Sequence, residues 1–360
     1  MADDLGPGRG RAGPRTVITT GLRRPRRFIL DADDSPSYGV VSVLSPTGPP
    51  VVDLPVVCCP DVAGALERGL PVVALESTIL SHGLPRPMNL EVGRELEDLV
   101  RAGGAVPATV AVLDGVPYVG LEASQLERVT MDENLRKVGL RDLPMVLAAK
   151  ASGGTTVSAT AALASRAGVR VFATGGLGGV HRGWHESWDE SADLLTLSLT
   201  RIAVVSSGVK SILDIGATLQ RLETLNVGVV GYRTDTFPAF YLRSSGYRLD
   251  WRVDAPEEVA AIMSGQDRLG LPPGALLIAN PLPAEAELQS ELHDRVLTEA
   301  LAAARRDRVS GQALTPFLLQ FMLEGTGGAS LDANLAAVRS NVRLATQIAV
   351  AFHVTPSEAP

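Results

Sequence analysis

Short apolar runs rich in Val, Ile and Ala recur at 72–75, 109–113, 169–173, 202–205, 227–230 and 275–279, without the alternation of a half-exposed strand. Runs of this length, apolar throughout, predict strands buried on both faces. Between them lie segments with helical spacing at 90–102, 157–166, 211–225, 257–264 and 291–306. Strands that alternate with helices of this length need crossover connections, which implies a largely parallel sheet with helices on both sides. The expected class is therefore α/β: a three-layer α/β/α domain with a largely parallel, mixed sheet. The last third has helical periodicity at 316–324 and 331–350, so a helical C-terminal portion follows the sheet.

The first stretch has neither period. Arg9, Arg11, Arg15, Arg23, Arg24, Arg26 and Arg27 stand among Gly and Pro, and Pro46, Pro49, Pro50, Pro55 and Pro60 follow. Such a composition cannot bury enough apolar surface to offset the entropy of ordering. Residues 1–60 are expected to be a disordered extension, with the folded domain at 61–353.

Charge and cysteine content narrow the partners. A net charge of −7 provides no basic field, so nucleic acid and anionic membrane surfaces are not expected partners and a small-molecule substrate is. Cys58 and Cys59 are adjacent, which suits neither an ordinary disulfide nor a CxxC metal site. No apolar run has the length of a bilayer span, and the start lacks the order of a signal peptide; the expectation is a cytoplasmic protein.

Among 33 basic residues, the only lysines are Lys137, Lys150 and Lys210. Arginine serves wherever a fixed positive charge suffices, so the lysines are candidates for positions that need an amine able to lose its proton. Three predicted strands run into unusual residues, at the end of the sheet where α/β proteins place their working groups. Glu76 follows the first, a carboxyl whose burial would raise its pKa and suit it to general-acid work, or else a structural acid in an ion pair. Residues 174–183 follow the third, a glycine-rich loop containing His181 whose spacing is not that of a dinucleotide fingerprint. Asp189 and Asp193 lie just beyond, four apart, so both would share one face if they open a helix. They could bind a hard divalent ion or cap that helix. After the fourth strand comes Lys210, read as entering the next helix, where the macrodipole would favour its free amine. The spacing of a phosphate-binding P-loop is absent there.

Several segments in order, among them PVVALESTILSHGLP, RKVGLRDLP, GGTTVSATAALA, VFATGGLGGVHRG, WDESADL, SSGVKSILDIGATLQRLET and SLDANLAAVRSN, resemble the pseudouridine-5′-phosphate glycosidase family, which includes indigoidine-synthase-A-like members. The resemblance runs from about Asp61 to the C-terminal helix. It implies reversible cleavage of pseudouridine 5′-phosphate to uracil and ribose 5-phosphate by a homotrimer with one divalent ion per subunit, Mn²⁺ or in its place Mg²⁺. By position it makes Glu76 the proton donor, Lys210 the Schiff-base nucleophile and Asp189 the metal ligand. Lys137, Val157, Ser191, Ala192 and Asp193 become substrate contacts, with His181 and Asn334 in or near the site. Two departures stand out: Glu190 where an apolar residue is expected, and Gly139-Leu140 where Ser-Arg is expected. Two other readings remain open at this level, a Schiff-base lyase or aldolase acting on sugar phosphates and a noncatalytic nucleotide-binding module.

Overall fold

The computed structural model describes residues 56–309 and 311–354, with the side chain of residue 312 left out. Most of the expected disordered extension thus lies outside the described residues. Its last part does not, because strand β1 (Val57–Cys58) and helix α1 (Pro60–Glu67) begin the fold a few residues before the expected boundary.

The remaining strands are β2 (Val72–Leu75), β3 (Val106–Leu113), β4 (Val116–Val119), β5 (Arg136–Val138), β6 (Gly153–Thr155), β7 (Val171–Ala173), β8 (Ala203–Ser206), β9 (Gly228–Tyr232), β10 (Arg252–Val253) and β11 (Leu276–Ala279). They form one sheet in the order β1-β4-β3-β2-β7-β8-β11-β9-β10, with β6 branching from β3 and β5 pairing with β6. Only the β3–β4 and β3–β6 pairs are antiparallel. The sheet is therefore mixed and mostly parallel, as expected, and no strand follows β11 among the described residues.

Alternate residues of the central strands supply two separate cores. Ala74, Phe172, Val204 and Leu277 face one side. There they meet α5 (Val157–Arg166), α7 (Ala192–Ser198) and α10 (Ser290–Arg306), through residues such as Ala161, Leu194 and Val296. Val73, Val171, Val205 and Ile278 face the other side. They pack on α2 (Met88–Ala102), α9 (Pro256–Leu269) and α12 (Ala329–Val354) through Leu96, Met263 and Val342. Burial on both faces is why these strands read as continuous apolar runs. The α2 apolar positions Val92, Leu96 and Val100 recur every fourth residue, one stripe toward the sheet.

In-register parallel pairing brings the functional strand ends to one edge. Leu75 pairs with Ala173, Ala173 with Val205, and Ser206 with Ala279. The residues that follow, Glu76, Thr174 and Ser207, leave the sheet at the same level. The described helices also include α3 (Ala123–Met131), α4 (Leu143–Ala148), α6 (Trp184–Ser187), α8 (Ile215–Thr224) and α11 (Leu314–Gly325).

Two local expectations are corrected. Lys210 does not enter a helix: it lies in the loop before α8, whose N-cap is Asp214, with its carboxylate accepting from the Ala217 N–H at 2.9 Å. The argument from the macrodipole therefore lapses for Lys210. Asp189 and Asp193 do not share a helical face either, since α7 begins at Ala192 and Asp189 precedes its N-cap, Ser191.

Candidate active site

The strand ends open into a cavity of about 400 Å³. Glu76, Lys137 and Lys210 line it together, and so does Asn334 from α12. An apolar and aromatic wall faces these polar groups, formed by Phe240 and Tyr241 and by Pro316, Leu319 and Leu323 of α11. The cavity thus combines charged groups with apolar and aromatic surface, the combination a sugar phosphate bearing a planar base would require.

Glu76 is only partly exposed, and the protein around the cavity floor crowds its carboxyl. That burial raises its pKa. The Lys210 charge opposes the shift, followed by a hydrogen bond from the Thr174 hydroxyl to Glu76 Oε1; Asp193 adds to it and Lys137 opposes it. The net effect is a carboxyl that keeps its proton to higher pH than an ordinary glutamate, as a proton donor must.

Lys137 comes from β5, next to the antiparallel branch that β6 adds to β3. Its side chain counts as exposed by surface area, yet much of that surface faces the cavity and not bulk water. Burial lowers its pKa, and the nearby Lys210 charge lowers it further against the pull of Asp193 and Glu76. Lys210 itself is positioned through its backbone, with its N–H donating to the Leu177 carbonyl at 3.1 Å. Gly208, at φ 78°, makes the turn before it; a Cβ there would stand 2.2 Å from the Pro238 carbonyl oxygen. Lys150 lies outside the cavity lining, exposed in a turn after α4.

The glycine loop that follows β7 is shaped by close approach. A Cβ on Gly176 would fall 2.5 Å from the Phe240 ring, and one on Gly178 2.2 Å from Ser191 Oγ. Phe240 itself holds φ at 62°, a conformation costly for a residue with a side chain and common where a site needs a fixed wall.

Asp193 and Asp189 have different surroundings. Asp193 is buried, and its two carboxylate oxygens accept from the Ser158 N–H of α5 at 2.9 Å and the Gly178 N–H at 2.8 Å. It ties the first turn of α5 to the glycine loop. Ser191 caps α7, accepting from the Asp193 N–H at 3.2 Å. Val157, Ser191, Ala192 and Asp193 are not in the cavity lining. His181 is buried nearby, and burial lowers its pKa against the opposing charge of Asp189. Glu190, the departure in this loop, pairs with Arg221 at 2.9 Å.

Among the described residues no group of three or more His, Cys, Asp or Glu side chains converges to hold a metal. An ion held by so few protein oxygens would have to keep most of its water, a pattern hard divalent ions accept.

Several cavity residues had no signal in the sequence reading. Thr78 lines the cavity, and its hydroxyl oxygen is buried without a hydrogen-bond partner. His82 presents Nε2 to the Leu135 carbonyl at 3.1 Å, and burial lowers its pKa. Nδ1 lies 2.8 Å from the Ser81 hydroxyl oxygen, which itself donates to the Ser77 carbonyl at 2.9 Å. Thr78 and His82 both lie within the quoted stretch after β2, so their position was visible although their roles were not.

The family model for indigoidine synthase A like proteins matches residues 61–351. A pseudouridine-5′-phosphate glycosidase of Streptomyces griseus is 63% identical over 81% of this chain and 90% of its own length. One of Frankia alni is 58% identical over 81% of this chain and 80% of its own length. Among solved structures, the prealnumycin C-glycosynthase AlnA in complex with ribulose 5-phosphate superposes with a TM-score of 0.78 at 34% identity, over 84% of this chain and 98% of that one. An indigoidine synthase A-like protein of Thermotoga maritima gives a TM-score of 0.72 at 40% identity, over 79% of this chain and 93% of that one.

Proposed function

Because this chain belongs to the indigoidine synthase A like family of enzymes, we propose that it reversibly cleaves the C–C glycosidic bond of pseudouridine 5′-phosphate, giving uracil and ribose 5-phosphate. The observation that carries this reading is the convergence of Glu76 and Lys210 in one cavity lined by both charged and aromatic side chains.

The chemistry explains the pairing. The base is bonded to the sugar through carbon, so protonating a leaving heteroatom cannot release it. Glu76 protonates the ribose ring oxygen as the Lys210 amine bonds to C1′ and the C1′–O bond breaks; the Glu76 carboxylate so formed takes a proton from the new secondary ammonium and delivers it to the base. Protonation of the base at C5 then lets the nitrogen lone pair expel uracil, leaving an iminium between Lys210 and C1′. Water adds to the iminium, C–N cleavage releases ribose 5-phosphate and the amine is restored. Burial at Glu76 favours the protonated carboxyl that the first step requires.

Lys137, which lines the cavity, suits the phosphate as a cation. The Phe240 ring and the Asn334 amide suit the base, offering a flat apolar surface and a donor–acceptor edge. A divalent ion held through Asp189 would supply positive charge beside the anionic substrate. This reading also takes the assembly to be a homotrimer located in the cytoplasm, and light scattering on the purified protein checks the first point. No helix among the described residues is long and apolar enough to cross a membrane.

The test is direct: purified protein with pseudouridine 5′-phosphate and Mn²⁺ should release uracil, and borohydride during turnover should leave a pentose-phosphate adduct on Lys210. Turnover of other sugar phosphates with the same adduct, but without uracil release, would favour the lyase or aldolase reading.

A further inference from the structure

Asn341 lies in the middle of α12 with no solvent exposure, and its side chain ends against the strand termini beneath the cavity. Its Nδ2 donates to the Thr174 carbonyl at 2.7 Å and lies 3.3 Å from the Gly175 carbonyl. The same nitrogen is 3.2 Å from the Ser207 hydroxyl, and Oδ1 accepts from the Asn280 amide at 2.8 Å. The orientation is determined by chemistry, since the carbonyls of Thr174 and Gly175 can only accept and so must face the nitrogen. One buried amide thus joins the ends of β7, β8 and β11, neighbouring strands of the sheet.

Two of those ends lead to the reacting groups. From β7, Thr174 offers its carbonyl to Asn341 and its hydroxyl to Glu76 Oε1. From β8, Ser207 leads through Gly208 to Lys210, whose backbone N–H is held by Leu177 of the glycine loop. The acid and the amine come from strands that are not adjacent, with β7 between them. Their separation therefore depends on how β7 and β8 are held where regular pairing stops.

We propose that Asn341 and Thr174 are positioning residues for the reaction: Asn341 fixes the ends of β7 and β8 relative to each other, and the Thr174 hydroxyl transmits that placement to the Glu76 carboxyl. The inference rests on Glu76 being the proton donor. Neither residue touches the substrate in this scheme; both act through Glu76 and the strand ends. A hydroxyl that donates to a carboxylate favours the ionised form and opposes the effect of burial at Glu76. A methyl group in its place leaves burial unopposed at that point, so the carboxyl holds its proton to higher pH.

The experiment measures kcat and KM for uracil release against pH in Thr174→Val, Thr174→Ser, Asn341→Leu and the Thr174→Val/Asn341→Leu double variant. Thr174→Val keeps the side-chain volume. It should lose roughly tenfold to a hundredfold in kcat, within the range of misplaced general-acid catalysis, with KM changed less than about threefold. Its descending pH limb should move to higher pH, and Thr174→Ser should restore both rate and limb. Asn341→Leu should lower kcat in the same way, and the double variant should be little worse than the worse single one. If Asn341→Leu does not fold, the two Thr174 variants decide. A Thr174→Val limb at the parental pH, a folded Thr174→Ser that fails to restore it, or losses that add in the double variant would overturn the proposal. Absence of uracil release by the unsubstituted protein would instead overturn the functional reading beneath it.

Discussion

Asp193 and Asp189 stand four positions apart, yet their environments differ completely. Asp193 is buried with both carboxylate oxygens committed to backbone N–H groups, while Asp189 sits partly exposed before the helix and holds only its backbone in the loop. The difference separates two regions of the molecule. The cavity floor at the ends of β2, β7 and β8 is fixed by buried hydrogen bonds, and in the proposed reaction it carries the bond-breaking step. The rim at residues 180–191 lies outside the cavity lining and is shaped by loop contacts, and the same proposal gives it the binding of metal and substrate. Substitutions in the floor should therefore change kcat, and those in the rim should change the concentrations of metal or substrate required.

Lys210→Arg should have the largest effect on that contrast. Arginine keeps the charge and much of the bulk but offers no free amine at neutral pH. Turnover should fall by roughly three orders of magnitude or more while substrate still binds, as read by steady-state kinetics beside equilibrium binding. Retention of more than about a tenth of the activity would remove Lys210 from the covalent role. Asp193→Ala tests the junction of floor and rim. It leaves two buried N–H groups without acceptors and should cost about 2–4 kcal/mol in denaturant unfolding. A loss in metal affinity alone, with stability unchanged, would move Asp193 into the rim.

Asp189→Ala should leave folding intact and raise the Mn²⁺ concentration for half-maximal activity by about tenfold, since a charged oxygen ligand is gone. An unchanged metal titration would make the rim a purely structural loop. The smallest expected effect is that of Glu76→Gln on stability. Burial makes the folded chain hold the Glu76 proton to higher pH than the unfolded chain does, so the parent loses stability as pH rises from the ordinary carboxyl value through the raised one. The glutamine variant does not titrate. Its melting temperature relative to the parent should therefore increase across that window, and a constant difference would show that Glu76 is not the strained group of the floor.

How much of this was legible in the sequence depended on whether a feature is local. The apolar run at 72–75 matches β2 at both ends, because a strand buried on both faces shows its burial in every residue. β5 and β6 went unseen because Arg136–Val138 and Gly153–Thr155 carry no run; their pairing depends on the antiparallel branch from β3. Glu76 and Lys210 could be found from strand-end position and the rarity of lysine. The electrostatic reason offered for Lys210 was wrong, because residues 211–214 turn before the helix forms and Asp214 caps it. Asn341 reads as an unremarkable polar residue within a helical pattern. Its role depends on strand ends far from it in the chain, and helical spacing has no access to such contacts.

That distance has a consequence for how the enzyme comes to life on the ribosome. Asn341 and the Thr174 carbonyl it holds are separated by 167 positions. At a synthesis rate of about 5–20 residues per second, a nascent chain spends roughly ten to thirty seconds with β7 already made and α12 still missing. During that interval the face of the sheet bearing Val73, Val171 and Val205 lacks the helix that supplies Val342, Ala345 and Ile348. An uncovered apolar surface of this kind is what chaperones bind and proteases probe. Ribosome-stalled chains ending shortly before Ala329 should therefore be captured and cut readily. Chains long enough to expose residue 354 beyond the exit tunnel should resist. The segment that completes the floor of the cavity is also the one that ends the chain's exposure to quality control.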